Sequence, residues 1–331
     1  MNTVLIRGGG VAACCCARLL KLAGLEAAAA EAERPKVPAV MLSESSQKLL
    51  RDVFDARDLF SGFHQIRRRA VLWRENTEPV VLPHSAVVAS EQVILERIQS
   101  LVPLAEPPAL EPAWSVFAAR PAPSREQHFG ARLAAATAVI LKSESVSDAC
   151  WIESLPEGWL FLLPYDRSNG WLLSVGAPAE AMLAESRFVA GQIAETGASA
   201  GAFPSHPRIA DPLGAPGWLA CGTAALGFDP LCGDGAGHAT REAILAAAVI
   251  RAALDGADAS SVVAHYTARL MAGFQRHLEV CREFYGTGRS GPWWQQQIGD
   301  LDRGIKWTSR ELSRLPAFRY RLNGFALEPV G

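Results

Sequence analysis

Apolar positions at the amino-terminal end fall into blocks separated by glycine. Residues 3–6 are an aliphatic run without polar alternation, the profile of a strand buried on both faces. Gly8, Gly9 and Gly10 break it, and residues 11–22 carry helix formers at apolar spacing until Gly24. A second, alanine-rich strand over 25–30 ends on Glu31. The predicted order is strand, glycine turn, helix, strand, acid.

Downstream, 33–38 reads as a turn-rich linker and 46–60 as a helix opened by serines. Short apolar runs predict strands at 70–72, 80–82, 86–88 and 115–118, with a helix at 91–101 and a proline-rich connection over 102–113. From 137–141 through 149–154, 159–163 and 170–175 the strands follow one another directly. Glu157-Gly158 and Ser168-Asn169-Gly170 punctuate them as hairpins, so this part is an antiparallel sheet. A helix is expected at 179–196, a loop at 203–216 and a strand at 218–222. A glycine-rich loop then leads into helices at 236–254 and 260–285, and the chain from Trp293 onward reads as helical.

Composition narrows the class. The 331 residues are 49% hydrophobic and 20% charged, which suits a folded domain, and the net charge of -2 gives no field to gather nucleic acid. Arg67, Arg68 and Arg69 form the main basic cluster, a solvated face or an anion contact. The seven cysteines include three in a row and no CxxC pair, which predicts neither a disulfide framework nor a metal site and fits a reducing, cytoplasmic setting. No run reads as a signal peptide or transmembrane segment.

Gly8, Gly10, Val11, Ala12 and Ala13 fit the GxGxxA pattern. Gly8 permits the tight turn, Gly10 leaves room for a pyrophosphate, and Ala13 lets helix and strand approach. The helix start then offers free N–H groups to the anion. Glu31, about 20 residues on, is placed to accept the ribose hydroxyls and argues against a 2′-phosphate. Arg34 joins this candidate set. FAD and NAD both satisfy the motif. A second glycine-rich helix start follows the strand at 218–222, with Gly222, Thr223, Asp229, Pro230, Gly233, Gly235 and Ala236 as candidate ligand contacts.

The paired segments resemble the group A FAD-dependent monooxygenases and the related flavin-dependent halogenases. In that superfamily the first motif holds the ADP half of FAD, and a distal GD…DP…GxG motif closes over the ribityl chain and the flavin ring. Gly222, Asp229-Pro230, Gly233 and Gly235 match the distal motif. Thr223 replaces its usual Asp, Ala119-Arg120 stands for the usual Gly-Arg, and Ser90 lies near where a flavin-contacting arginine is common. The resemblance implies an α/β fold. A Rossmann-like (GR2-type) FAD-binding domain over 1–65, 86–136 and 210–258 is interleaved with an antiparallel-sheet substrate domain over 66–85 and 137–209, and 259–331 forms a helical C-terminal region.

Halogenases of this group carry a WxWxIP string and a lysine that captures the halogenating species. Here the string reads Trp159-Leu160-Phe161-Leu162-Leu163-Pro164, and the lysine segment aligns with Phe63-His64-Gln65, so hydroxylation is the implied chemistry. The expected reagents are FAD, molecular oxygen, and NAD(P)H or a flavin reductase as electron donor. The expected substrate is an electron-rich aromatic small molecule, or a peptide or protein such as a tryptophan matured into a quinone cofactor. Candidate catalytic residues are His238, after the glycine loop, and His64 and Arg68, which either line the substrate cleft or decorate a polar helix face. A flavin-dependent dehydrogenase, a halogenase and a non-catalytic flavin-fold binding protein are the alternatives. Trp293, Trp294, Trp307, Phe318 and Tyr320 crowd the C-terminal part, where a helix–core seam is the leading expectation over a docking edge.

Overall fold

The computed structural model describes residues 3–30, 37–74, 78–102, 111–316 and 319–330. Glu31, Arg34 and Phe318, and most of the expected 33–38 linker, lie outside them.

The first strand, β1 (Thr3–Arg7), sits inside a five-stranded sheet of order β14-β15-β6-β1-β2. Its neighbours β2 (Glu26–Ala30) and β6 (Trp114–Phe117) run parallel to it, and β15 (Trp218–Ala220) runs parallel to β6. The short β14 (Gly214–Ala215) turns back antiparallel at the edge. Helix α1 (Val11–Leu22) crosses from β1 to β2, and Gly24 ends it at φ +76°. Cys14, Cys15 and Cys16 are buried in this helix, where their small side chains let α5 (Gly235–Leu254) pack close: Cys15 meets Thr240 and Cys16 meets the Ala243 carbonyl.

The larger sheet has eight strands in the order β12-β8-β11-β10-β9-β4-β5-β3. They are β3 (Val40–Ser43), β4 (His64–Leu72), β5 (Val80–Ala89), β8 (Leu133–Leu141), β9 (Ala149–Leu155), β10 (Gly158–Pro164), β11 (Asn169–Gly176) and β12 (Ile193–Pro204). All neighbours are antiparallel except β4 and β9. A third sheet joins β16 (Leu226–Gly227), β13 (Arg208–Asp211) and β7 (Arg125–His128). Alternation along β10 sends Trp159 and Phe161 to the main core and Leu160 and Leu162 to a second core on the outer face. Helix α4 (Ala179–Glu185) covers that outer face. Two long helices, α6 (Ala259–Gly286) and α7 (Pro292–Leu312), close the molecule behind α5.

Several expectations change. The helix expected at 46–60 is α2 (Glu44–Phe54), capped by Ser43 and ended by Asp55 in the left-handed region. The helix at 91–101 is α3 (Glu91–Gln99). The helix expected over 179–196 stops at Glu185, because the buried Glu153 carboxylate takes the Ser186 hydroxyl and the N–H groups of Arg187, Phe188 and Val189. Those donors are lost to an α-helix, and the chain enters β12 instead. The loop expected at 203–216 contains the end of β12, β13 and β14. His64 and Arg68 lie on strand β4, not on a helix face. The helical C-terminal part finishes in a hairpin of β17 (Tyr320–Asn323) and β18 (Ala326–Pro329). No helix among the described residues is long and apolar enough to cross a membrane.

Candidate functional site

The chain passes from β1 through α1 to β2 on one side and later returns to β6 on the other, so a topological switch point lies between β1 and β6 at their carboxyl ends. Gly8 occupies it at φ +134°, and a Cβ there would stand 3.0 Å from the Ala119 nitrogen. Its own N–H goes to the Ala30 carbonyl at 3.0 Å, while Ala118 and Ala119 both donate to Arg7 O. Gly10 caps α1 in an extended conformation with no side chain to satisfy the first turn, in which Val11, Ala12 and Ala13 are buried. Nothing lies within 4 Å of where a Gly9 Cβ would be. The turn is therefore packed on its inner side and open on its outer side, with backbone donors at the opening.

The distal segment comes to the same place. Gly222, at φ +57°, would bring a Cβ to 2.8 Å from the Ala12 Cβ. Thr223 is exposed, and its hydroxyl donates to the Ala118 carbonyl at 3.3 Å. Beside it a groove of 420 Å³ is lined by Arg120, Ser124, Glu126 and Ala224. Beyond the loop, Gly233 takes φ +59° with Met41 of β3 nearby, and Gly235 starts α5 exposed, with no atom within 4 Å of a Cβ position. Ala236 follows half-buried on the same helix. The loop is tied to α2 by Asp234, which accepts from Ser46, and Gly237 must lack a side chain because a Cβ would meet both partners.

Asp229 points inward. Its carboxylate accepts from Leu231 N at 2.9 Å, one residue past Pro230, and from Arg132. Both side chains of that ion pair are almost wholly buried. Arg132 also donates to the Ser205 carbonyl and to Gln297 and lies over the Tyr285 ring. Asp229 thus fixes the shape of the loop, through a partner that sequence reading missed. A lone arginine before an alanine-rich strand carries no signal that it is buried.

Glu242 was missed as well, because it reads as a charged edge of an apolar helix. In the structure it is buried under the distal turn, where its carboxylate accepts from Gly222 N at 2.7 Å. Burial pushes its pKa up to about 8, against the opposing pull of the Gly222 N–H and Arg208.

His238 lies on the first turns of α5, stacked on Phe228 at 4.1 Å and with His277 at 6.2 Å. Burial and the neighbouring His277 hold its pKa down to about 4, so it is a neutral ring, not an imidazolium, at ordinary pH. His277 accepts from Asp229 N at 2.9 Å and so ties this ring cluster to the loop. His64 meets the Ser147 carbonyl at 2.7 Å, and Arg68 forms an exposed pair with Asp148. Both are held by the turn before β9. The structure brings Gly8, Ala12 and Gly222 together and places His64 and Arg68 on β4 of the large sheet, where His64 pairs with Val88 of β5, itself the partner of Met41. Among the described residues no group of acids, histidines and cysteines has a metal-holding arrangement.

The fold is shared with solved structures that include a flavin-dependent halogenase and a p-nitrophenol 4-monooxygenase. One solved structure with it is the peptidyl tryptophan dihydroxylase QhpG, essential for tryptophylquinone cofactor biogenesis, at 20% identity and TM-score 0.70, covering 89% of this chain and 78% of that one. The flavin-dependent halogenase CmlS matches at 15% identity and TM-score 0.74 over 99% of this chain and 84% of its own. The p-nitrophenol 4-monooxygenase PnpA from Pseudomonas putida DLL-E4 matches at 15% identity and TM-score 0.70, over 95% and 98%. No family model matches the chain, and no curated protein is similar to it in sequence. At these identities the likeness is one of fold.

Proposed function

We propose that this protein is an FAD-dependent monooxygenase that hydroxylates an electron-rich aromatic ring. The observation that carries the reading is the meeting of the two glycine turns. Gly222 rests on Ala12, and Gly9 and Gly235 leave open space at the starts of α1 and α5. Such a pair of turns fits a ligand with a diphosphate at one end and a planar ring at the other. Gly8, Gly10, Val11, Ala12 and Ala13 would hold the diphosphate through main-chain donors. Gly222, Thr223, Pro230, Gly233, Gly235 and Ala236 would lie along the remainder, with Asp229 keeping their loop in shape.

FAD, when bound, supplies the redox chemistry with oxygen, drawing electrons from NAD(P)H or a reductase. The chain's own residues orient the substrate and exclude water. The inner face of the large sheet, with Phe161 and Leu163, is the apolar wall for the ring. Neutral His238, stacked on Phe228 at the start of α5, serves as a packing partner for the distal loop. The likeness to QhpG makes a tryptophan within a peptide a substrate to test first. Halogenation is disfavoured by His64 and Gln65, which stand where the halogenases carry lysine.

The test is an FAD titration of the purified chain followed by flavin fluorescence. Saturable binding in the wild type that is lost in Gly8→Val supports the site, because valine has no room beside Ala119. Oxygen-18 transfer from O2 to a tryptophan-containing peptide or a phenol would establish the reaction. A chain that binds no FAD refutes the proposal.

A further inference from the structure

We propose that Arg69, with His84 beside it, forms an anion subsite on the inner face of the large sheet and seats a carboxylate carried by the aromatic substrate. This rests on the reading of that face as the substrate's seat.

The three consecutive arginines of β4 are not equivalent. Arg67 and Arg68 are exposed, and both their N–H groups go to the single carbonyl of Asp148, which breaks the regular ladder after Ile66. Such an irregularity re-aims the side chains that follow. Ile66 packs with Cys150 and Leu163 on the inner face, and past the break it is Arg69 that stands opposite Cys150. Arg68 is left outside with Asp148.

Arg69 is half-buried, and its Nε is shielded from solvent without a partner. Its guanidinium reaches His84 Nε2 at 3.4 Å, and it lies beside Cys150, its register partner on β9. Among the described residues no carboxylate pairs with it. A guanidinium partly withdrawn from water without a counter-ion is left short of partners, and its planar fork matches a carboxylate in two parallel hydrogen bonds. Burial and the Arg69 charge both hold the His84 pKa below the ordinary histidine value, so His84 brings no competing cation.

The surroundings suit an aromatic acid. Val71, Ile152 and Phe161 stand side by side across β4, β9 and β10, half-buried, in the next row along the same face. Phe161 and Met41 pack on the same small core as Cys150, and Met41 lies 3.5 Å from the Cβ position of Gly233. The cation, the apolar wall and the distal glycine loop are thus neighbours along one surface.

The experiment compares benzoate with benzamide, and indole-3-acetate with its amide, by calorimetric titration of the full chain. The acids are expected to bind about tenfold or more tighter than the neutral amides. Arg69→Gln should abolish that preference, Arg69→Lys should keep part of it, and Arg167→Gln on the surface should leave it unchanged. In the wild type, benzoate should slow phenylglyoxal modification of Arg69, read by peptide mass spectrometry, and benzamide should not. Equal binding of acids and amides, or a preference that survives Arg69→Gln, overturns the subsite. A chain that binds FAD but shows no preference loses only the subsite. A preference in a chain that binds no FAD leaves the subsite standing and refutes the proposed function.

Discussion

Gly222 and Ala12 are 210 positions apart in the chain, yet the space between them is settled by a single missing methyl group. A Cβ on Gly222 would stand 2.8 Å from that of Ala12, at a backbone φ of +57° that already disfavours other residues. Gly222→Ala is expected to cost about 1–3 kcal/mol. Ala12→Gly in the same chain should return part of that loss, since it removes the atom struck. A double-mutant cycle in urea checks it, and strict additivity would mean that the two turns do not touch. Asp229 and Arg132 pose a different case, since both charges are buried. Asp229→Ala leaves the guanidinium uncompensated and should cost about 3–5 kcal/mol. The apolar pair Asp229→Leu with Arg132→Met should cost clearly less than Asp229→Ala alone, a ranking that chemical denaturation reads directly.

At the scale of elements, α5 carries two opposed titrations, those of Glu242 and His238. Glu242 ionises near pH 4.5 in the unfolded chain and near 8 in the folded one. Between those values the folded state holds a proton that the unfolded state has released, so the Glu242 contribution falls as pH rises. His238 acts in the opposite sense and lower down: its folded pKa of about 4 lies under the ordinary 6.5, so stability is lost as pH falls through that window. Above pH 6.5 only the Glu242 slope remains of these two. Stability should therefore decline from pH 6.5 to 8, by up to about 1.4 kcal/mol per pH unit. Glu242→Gln should flatten that segment in urea melts; an unchanged slope would place the titration elsewhere.

The same scale shows what the sequence could tell. The span of α1 was legible to its ends, because glycines bracket it and all its residues but Arg18 and Lys21 are apolar. Strands β8 to β11 were legible from alternation and hairpin turns, though β8 begins earlier than the pattern suggested. Strand β12 was not: between Ile193 and Phe203 its residues are small or polar, and all but the first are exposed, so neither face leaves a pattern. Arg69 was hidden for another reason. A strict period of two groups it with Arg67, and only the irregularity at Asp148 turns it toward Cys150. The glycines at both turns were visible from sequence, whereas Arg132 and Glu242 needed their distant partners to be seen.

For the whole molecule, the question is what holds the large sheet to the helices behind it, because the proposed ligand wall and the glycine turns belong to different sheets. Trp294 of α7 is fully buried and donates to the Leu155 carbonyl at the end of β9 at 2.9 Å. Its ring meets Trp73 at 5.4 Å, Trp293 at 5.0 Å and Tyr285 at 5.6 Å. Tyr285 in turn accepts from Trp159 on β10 and lies under Arg132, the partner of Asp229. One contiguous set of contacts thus runs from α7 through the sheet to the distal loop, which makes these tryptophans a seam between parts and not an open docking edge. Trp294→Ala should cost about 3–5 kcal/mol, as for other buried aromatic truncations. Trp294→Phe keeps most of the packing but strands the Leu155 carbonyl, for about 1–3 kcal/mol. If the seam carries order to the loop, Trp294→Ala should also weaken FAD binding at a temperature where the variant is still folded, although Trp294 touches none of the glycines. Full FAD affinity in a folded Trp294→Ala chain would show that the glycine turns keep their shape without the seam.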